Sequence, residues 1–398
     1  QGARLPGVDA LFTATSAVCV TGLVTVDPGD TFTLFGQAVL AVLMQLGGLG
    51  ISSVSMGLAI AAGRRIGFRG RSLVREALNV ESFEGMVKLV RAIMAMTLLV
   101  EGIGAVASYP VFARDYPPLR AAWISIFHAV ASFNNAGLDV LGGGHSLIPY
   151  CSNVWLNLVT EAMIVLGGIG FMVVLDVLRC RGRFRKLTLH SKVVLTTTAV
   201  LILGGALLLW LTEPISFLAA LFQSITTRTA GFSTIDIGAM TNAGLLVVMI
   251  LMFIGASPGS TGGGMKVSRV LILAKTARAE TRHLLHPHSV EVMTMDGKRV
   301  SSEVIRGTMA FFICYAAIAV VSILLVSLDN FGAETSVTSV FATLNNIGPG
   351  LSLEVGPFGS YASFSALSKV VLTLDMLLGR LELFPVLLLL SPATWRKH

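Results

Sequence analysis

Long apolar stretches fall at residues 36–62, 88–108, 153–178, 190–212, 241–274, 304–328 and 364–391. A helix of about 20 residues covers roughly 30 Å of hydrocarbon, so each stretch is long enough to cross a membrane. Between them lie weaker apolar segments at 9–19, 121–133, 215–227 and 335–344. These are too short to cross and predict re-entrant or interfacial structure. The pattern therefore reads as seven spanning helices interleaved with four short ones.

Composition agrees. Of 398 residues, 54% are hydrophobic and only 13% charged, against about 25% charged in an ordinary soluble domain. That excludes a soluble or disordered chain. The net charge of +7 is concentrated in three connections, 63–91, 179–192 and 266–306, and in the tail at Arg396 and Lys397. The opposite connections hold Arg114, Arg120 and Lys369. The positive-inside rule makes the basic connections cytosolic and puts every short segment on the external side. The basic excess is thus topological and does not point to nucleic acid. Cys19, Cys151, Cys180 and Cys314 have neither metal-ligand spacing nor a common side of the membrane. The first twenty residues carry no signal-peptide pattern. The histidines of HLLHPH (283–288) read as solvated loop residues.

A repeat runs through the short segments. DALFTATSAVCVTGL, ISIFHAVASFNNAGL, LAALFQSITTRTAGF and VTSVFATLNNIGPGL each contain a phenylalanine (Phe12, Phe127, Phe222, Phe341) and end at a glycine (Gly22, Gly137, Gly231, Gly348). A second pattern follows in the next span: QLGGLG, VLGGIG, FIGASP and LLGRLE, with Gly47, Gly167, Gly255 and Gly379 lying 25, 30, 24 and 31 residues downstream. Each unit reads as helix, short external helix, glycine-ended loop, helix. The fold class is all-α integral membrane, with four such units around a pseudo-fourfold pore. The units span 1–62, 88–178, 190–282 and 304–391, joined by cytosolic connections at 63–87, 179–189 and 283–303. Unit one starts at its short helix, so eight spans are expected in the natural protein and seven here.

Non-helical backbone survives at membrane depth only where it lines a water-filled path or is buried in protein. Four re-entrant loops around an axis form such a path, and their carbonyls can replace an ion's hydration shell. Short helices stopping mid-membrane aim their negative C-terminal ends at the centre, which favours a cation. With few carboxylates near the loops, carbonyl coordination suits a large monovalent cation better than calcium. The candidate filter residues are Val20, Thr21 and Gly22; Asn135, Ala136 and Gly137; Thr229, Ala230 and Gly231; Asn346, Ile347 and Gly348. Gly47 and Gly167 read as close-packing positions.

Two units depart from the pattern. IGASPGSTGGGMK (254–266) places five glycines, two serines, a threonine and a proline inside an apolar span, more helix breakers than a bend needs. An unwound, mobile segment in the pore is expected, with Gly255, Ser257, Gly259, Ser260, Thr261, Gly262, Gly263 and Gly264 as gate residues. Only this span is expected to be broken. In LDMLLGRLELF, Arg380 sits in an apolar run with Asp375 and Glu382. An arginine at a helix centre costs roughly 2.5–3.5 kcal/mol, so it needs a polar destination. Either it faces the pore with the gate, or it pairs with one of those acids. No catalytic constellation stands out, so the chain is not expected to be an enzyme.

These motifs resemble the Trk/Ktr/HKT superfamily of potassium transporters, built from four M1–P–M2 repeats in one chain, and the likeness runs from Asp9 to about Arg396. TATSAVCVTGL, FNNAG and TRTAGF look like Ktr-type filters. GSTGGGMKVSRVL, TLNNIGPGL and LLGRLELF look closer to the Trk-type membrane subunit. The resemblance implies potassium uptake through a filter carrying Gly22, Gly137, Gly231 and Gly348. It implies a gate at 255–265 facing Arg380, with no bound organic cofactor. It further implies a homodimer in the cell (plasma or inner) membrane, contacting lipid, with a cytosolic ring of nucleotide-binding regulatory subunits. A sodium-permeable or cation-symporting relative is the alternative; a serine at the first loop glycine accompanies sodium permeation in some relatives, and Gly22 argues against it. An ion-coupled solute symporter would instead favour inverted repeats and two broken spans.

Overall fold

The computed structural model describes residues 5–50, 86–286, 294–295 and 298–381. The inner half of the 36–62 stretch, nearly all of the 63–87 connection, His288, Glu382 and the remainder of the last stretch, with Arg396 and Lys397, lie outside the described residues.

The helices, in chain order, are α1 (Gly7–Val18), α2 (Pro28–Thr31), α3 (Leu34–Leu49), α4 (Met86–Phe112), α5 (Pro118–Phe133), α6 (Val154–Gly168), α7 (Phe171–Arg179), α8 (Leu189–Thr212), α9 (Phe217–Thr226), α10 (Asn242–Phe253), α11 (Val267–Leu285), α12 (Ser302–Val326), α13 (Ala333–Leu344) and α14 (Ala366–Leu381). A two-residue strand pair, Thr294–Met295 with Lys298–Arg299, follows α11. Side-chain caps fix many of the starts. Thr188, Ser216, Thr241 and Ser301 each accept a hydrogen bond from the backbone N–H three residues on, satisfying a donor the helix cannot use itself.

Among the described residues three helices, α4, α8 and α12, are long and apolar enough to cross a membrane. Their outward faces are apolar: Leu99 and Val106 on α4, Val200 and Leu211 on α8, and Ile313 and Leu324 on α12 are all exposed. Such faces are stable against lipid, not water. The chain is a multi-pass membrane protein. Four short helices of 12, 16, 10 and 12 residues, α1, α5, α9 and α13, are about 15–24 Å long at 1.5 Å per residue, too short to cross about 30 Å of hydrocarbon.

The helices close into a ring. Helices α4, α8 and α12 each pack on the short helix that follows them, α5, α9 and α13. The inner helices bridge neighbours: α3 contacts α1 and α5, α6 contacts α5 and α9, α10 contacts α13, and α14 contacts α13 and α1. The phenylalanines read from the repeat are buried within this packing, with Phe12, Phe127 and Phe222 fully inaccessible and Phe341 partly so.

One expectation fails here. The 153–178 stretch is not a continuous helix but a pair, α6 and α7, bent by 96°. The cause is local: after Gly167 and Gly168, Gly170 takes φ +94 and cannot continue a right-handed helix. The 241–274 stretch is also broken, so among the described residues two spans are interrupted rather than one.

Candidate ion pathway

The short helices terminate alike, the third with a one-residue offset, and each termination shapes a candidate filter loop. Helix α1 ends with Val20 in the left-handed region (φ +50), Val20 N–H bonding Ala17 O at 3.2 Å and Thr21 N–H bonding Ser16 O at 2.8 Å. That pair of bonds is a Schellman closure. Helix α5 repeats it with Asn135 (φ +57), Asn135 N–H to Ser132 O and Ala136 N–H to Ala131 O. Helix α13 does so with Asn346 (φ +51), Asn346 N–H to Thr343 O and Ile347 N–H to Ala342 O. The third unit is displaced by a residue: Ala230 N–H and Gly231 N–H both bond Thr226 O, with Thr229 at φ +82.

The third residue of every triplet is again left-handed: Gly22 at +89, Gly137 at +63, Gly231 at +85 and Gly348 at +112. Left-handed residues at the first and third positions, with an ordinary residue between, let successive carbonyls face the same way instead of alternating as in a strand. The four loops also crowd one another. A Cβ on Gly22 would lie 2.7 Å from Ala136 O, on Gly137 2.6 Å from Ala230 O, on Gly231 2.5 Å from Ile347 O, and on Gly348 2.6 Å from the Gly231 Cα. Asn346 Nδ2 donates to Thr21 Oγ1 at 3.1 Å, tying the fourth loop to the first. All twelve residues singled out in the sequence are therefore brought together, and all are buried except Gly22, which sits at the edge. The left-handed first positions escaped sequence reasoning because none is glycine. The available signal was Asn-Asn at 134–135 and 345–346, since asparagine tolerates this conformation.

Beneath the loops, α10 stops at Phe253 and the chain unwinds until Val267. The two ends of this segment are pinned together: Gly255 N–H bonds Met265 O at 2.9 Å and Val267 N–H bonds Ala256 O at 3.2 Å. The interior docks on the break between α6 and α7. Ser257 N–H bonds Gly168 O, Thr261 N–H bonds Gly167 O, Phe171 N–H bonds Gly259 O, and Thr261 Oγ1 donates to Phe133 O at 3.2 Å. The second interruption thus supplies the carbonyls that receive the first.

Three cationic side chains hold the segment's carbonyls. Arg380 Nη1 donates to Thr261 O at 2.6 Å and Gly262 O at 3.1 Å, while its Nη2 donates to Gly47 O and to Gly48 O at 3.1 Å. Lys266 Nζ donates to Gly262 O at 2.7 Å. Arg228 Nη2 donates to Gly255 O at 3.2 Å. Lys266, read from sequence as a cytosolic anchor, is instead buried against the unwound segment. Of the acids considered for Arg380, Asp375 accepts from Ser322 Oγ at 2.8 Å; Glu382 lies outside the described residues.

The second repeat pattern has a geometric meaning. A Cβ on Gly47 would lie 1.7 Å from Val18 O, on Gly167 2.0 Å from Phe133 O, and on Gly379 2.2 Å from Leu344 O. Each glycine lets an inner helix rest on the last carbonyl of its own short helix. In the third unit Gly255 faces Gly263 O instead, so the unwound segment takes the place of that contact. Gly262 and Gly263 lie directly against the third and fourth loops: added Cβ atoms would come within 2.2 Å of Thr229 Oγ1 and 2.6 Å of Asn346 Cβ.

The family described as TrkH, cation transport protein, matches residues 1–213 and 186–397, nearly the whole chain. The chain belongs to the TrkH family. A potassium/sodium uptake protein, NtpJ, of Enterococcus hirae is 35% identical over 95% of this chain and 84% of its own length. The Ktr system potassium uptake protein B of Bacillus subtilis is 32% identical over 94% of this chain and 79% of its own. The crystal structure of the potassium transporter TrkH from Vibrio parahaemolyticus superposes with a TM-score of 0.80 at 25% identity, covering 99% of this chain and 80% of that one. Proteins of the TrkH family are transporters rather than enzymes, and the helical architecture is that of the solved TrkH.

Proposed function

We propose that this protein takes up potassium through the four filter loops, gated by the unwound segment 254–266. The observation that carries the reading is the convergence of four buried loops with left-handed first and third residues, the conformation that presents stacked carbonyls to a dehydrated monovalent cation. Val20, Thr21, Gly22, Asn135, Ala136, Gly137, Thr229, Ala230, Gly231, Asn346, Ile347 and Gly348 form the filter. Gly255, Ser257, Gly259, Ser260, Thr261, Gly262, Gly263 and Gly264 form the gate, and Arg380 latches it by bridging its carbonyls to those of Gly47 and Gly48. Potassium is cargo, and no organic cofactor takes part.

The four units divide at 1–62, 88–178, 190–282 and 304–391. The protein lies in the cell membrane with its basic connections in the cytosol, as the charge asymmetry supports. It works as a homodimer with one pore per subunit, and a nucleotide-binding regulatory ring docks on the inner face. Relatives named as proteins of Ktr and Trk systems support a multi-component assembly. Growth of a potassium-uptake-deficient cell at low potassium tests the function: rescue by this protein and loss of rescue with Gly231→Ala is expected, and failure to rescue with protein present in the membrane would contradict it. The name of the Enterococcus hirae relative favours one second reading, uptake of sodium beside potassium. Comparison of the two ion fluxes separates them.

A further inference from the structure

On the inner face, the end of α7 and the turn after it enclose a cleft of about 450 Å³. Arg179, Arg181, Arg183 and Lys186 line it, with Asp176 as the opposing charge. Asp176 is engaged within the fold: its Oδ2 accepts from Thr188 N–H and Thr188 Oγ1, both at 2.9 Å. The cleft's free balance is therefore strongly positive. Its backbone is set by another Schellman closure, with Arg181 left-handed at φ +49 and Gly182 N–H bonding Val177 O at 2.9 Å. A left-handed arginine is an unusual expense of backbone strain away from the pore.

Two further features select the ligand's source. Helix α7 leaves the inner helix α6 at 96°, so the basic end of α7 is turned aside from the α6 axis. Leu178 and Phe184, both exposed, flank the basic residues. Exposed apolar side chains beside a basic cleft are the arrangement of an interfacial segment contacting anionic lipid. A freely diffusing phosphate needs the cations but not the apolar flank.

We propose that this cleft binds the phosphodiester headgroup of an anionic phospholipid of the inner leaflet, and that its occupancy steadies the gate. The link is short. The first residue of α7, Phe171, donates its N–H to Gly259 O of the unwound segment, and the residues before it receive Ser257 and Thr261. A headgroup fixing one end of a nine-residue helix fixes the seat of the gate at the other. This rests on the reading of 254–266 as a gate, so binding and flux are measured separately.

The test uses purified protein in vesicles of neutral phosphatidylcholine, with and without phosphatidylglycerol. Lipid retention is read by native mass spectrometry, and rubidium flux is read per molecule oriented with Cys151 accessible to an impermeant thiol reagent. Removing three cations (R181A/R183A/K186A) should weaken phosphatidylglycerol retention on the order of 100-fold, at about 1 kcal/mol per basic residue near the surface. It should also abolish the several-fold dependence of flux on phosphatidylglycerol, leaving flux in neutral vesicles unchanged. The charge-retaining R181K/R183K variant should keep both. Equal retention by the triple variant and the wild type overturns the site. Retention lost while flux dependence persists overturns the coupling to the gate but not the site. Absence of any rubidium flux in the wild type overturns the transport reading, while retention still decides the site. Soluble glycerol phosphate reproducing the flux change in neutral vesicles overturns the lipid assignment. Loss of regulatory-subunit binding with lipid dependence intact overturns it in favour of a protein partner.

Discussion

Val20 and Thr229 are β-branched residues held at φ +50 and +82, a conformation that costs an L-residue roughly 1–2 kcal/mol. Glycine would remove that cost but add about 0.5–1 kcal/mol of chain entropy lost on folding. Val20 is also fully buried in the core, and losing its side chain costs about 1.5–3 kcal/mol more, so Val20→Gly should lower the melting temperature. The loop is then freer, and the potassium-to-sodium flux ratio should fall. An unchanged ratio would show that the strained residue plays no part in selectivity. Gly22→Ser works from the opposite side: its Cβ is driven to 2.7 Å from Ala136 O, so the second loop must yield. Total flux should drop and the sodium share rise, as read by competitive uptake of the two ions. The convergence of the four loop glycines was legible in the sequence because four copies of one spacing exposed them. The left-handed partners two residues earlier were not, because valine, threonine and asparagine carry no common residue signature for a shared backbone state.

At the scale of elements, Arg380 joins α14, α3 and the unwound segment through carbonyls on both sides. Arg380→Ala removes the bridge and a fixed positive charge under the filter. At 4 Å and an effective dielectric of 20 two unit charges interact by about 4 kcal/mol, and water screening leaves a smaller net barrier. Potassium flux per folded molecule should rise several-fold; lower yield with unchanged flux would make Arg380 structural only. Arg380→Lys keeps the charge but cannot reach all four carbonyls, so it should fall between. Gly262 and Gly263 of the proposed gate pack on Thr229 and Asn346 of the proposed filter. Gly262→Ala should therefore change ion preference as well as flux, whereas Ser257→Ala, which loses a bond to Gly168 O at 3.1 Å, should change flux alone. Measured ratios that move equally in both variants would contradict this division. The break at Gly170 lay hidden because the apolar run around it is continuous; run length reports burial in lipid, not helical continuity. Lys266 and Arg228 were illegible for a related reason: a lone cation beside a polar segment looks the same whether it meets water or a row of carbonyls.

At the scale of the whole molecule, the outer loops tie each unit to the next around the ring. Gly143 and Gly144 N–H groups bond Asp30 and Asp27, Leu147 N–H bonds Ser233 O, the Leu353 backbone closes on Gly238, and Tyr361 N–H bonds Val24 O while Ser360 Oγ donates to Thr25 O. In the proposed pore, selection rests on the shared geometry of carbonyls from four units, so a defect in any loop should degrade selection by all of them. The measurement that tests this most directly is flux of potassium and sodium, each alone, through the purified protein in vesicles. The account predicts potassium and rubidium flux far above that of sodium and lithium, with the preference reduced in Gly22→Ser. Equal potassium and sodium flux in the unmutated protein would contradict it.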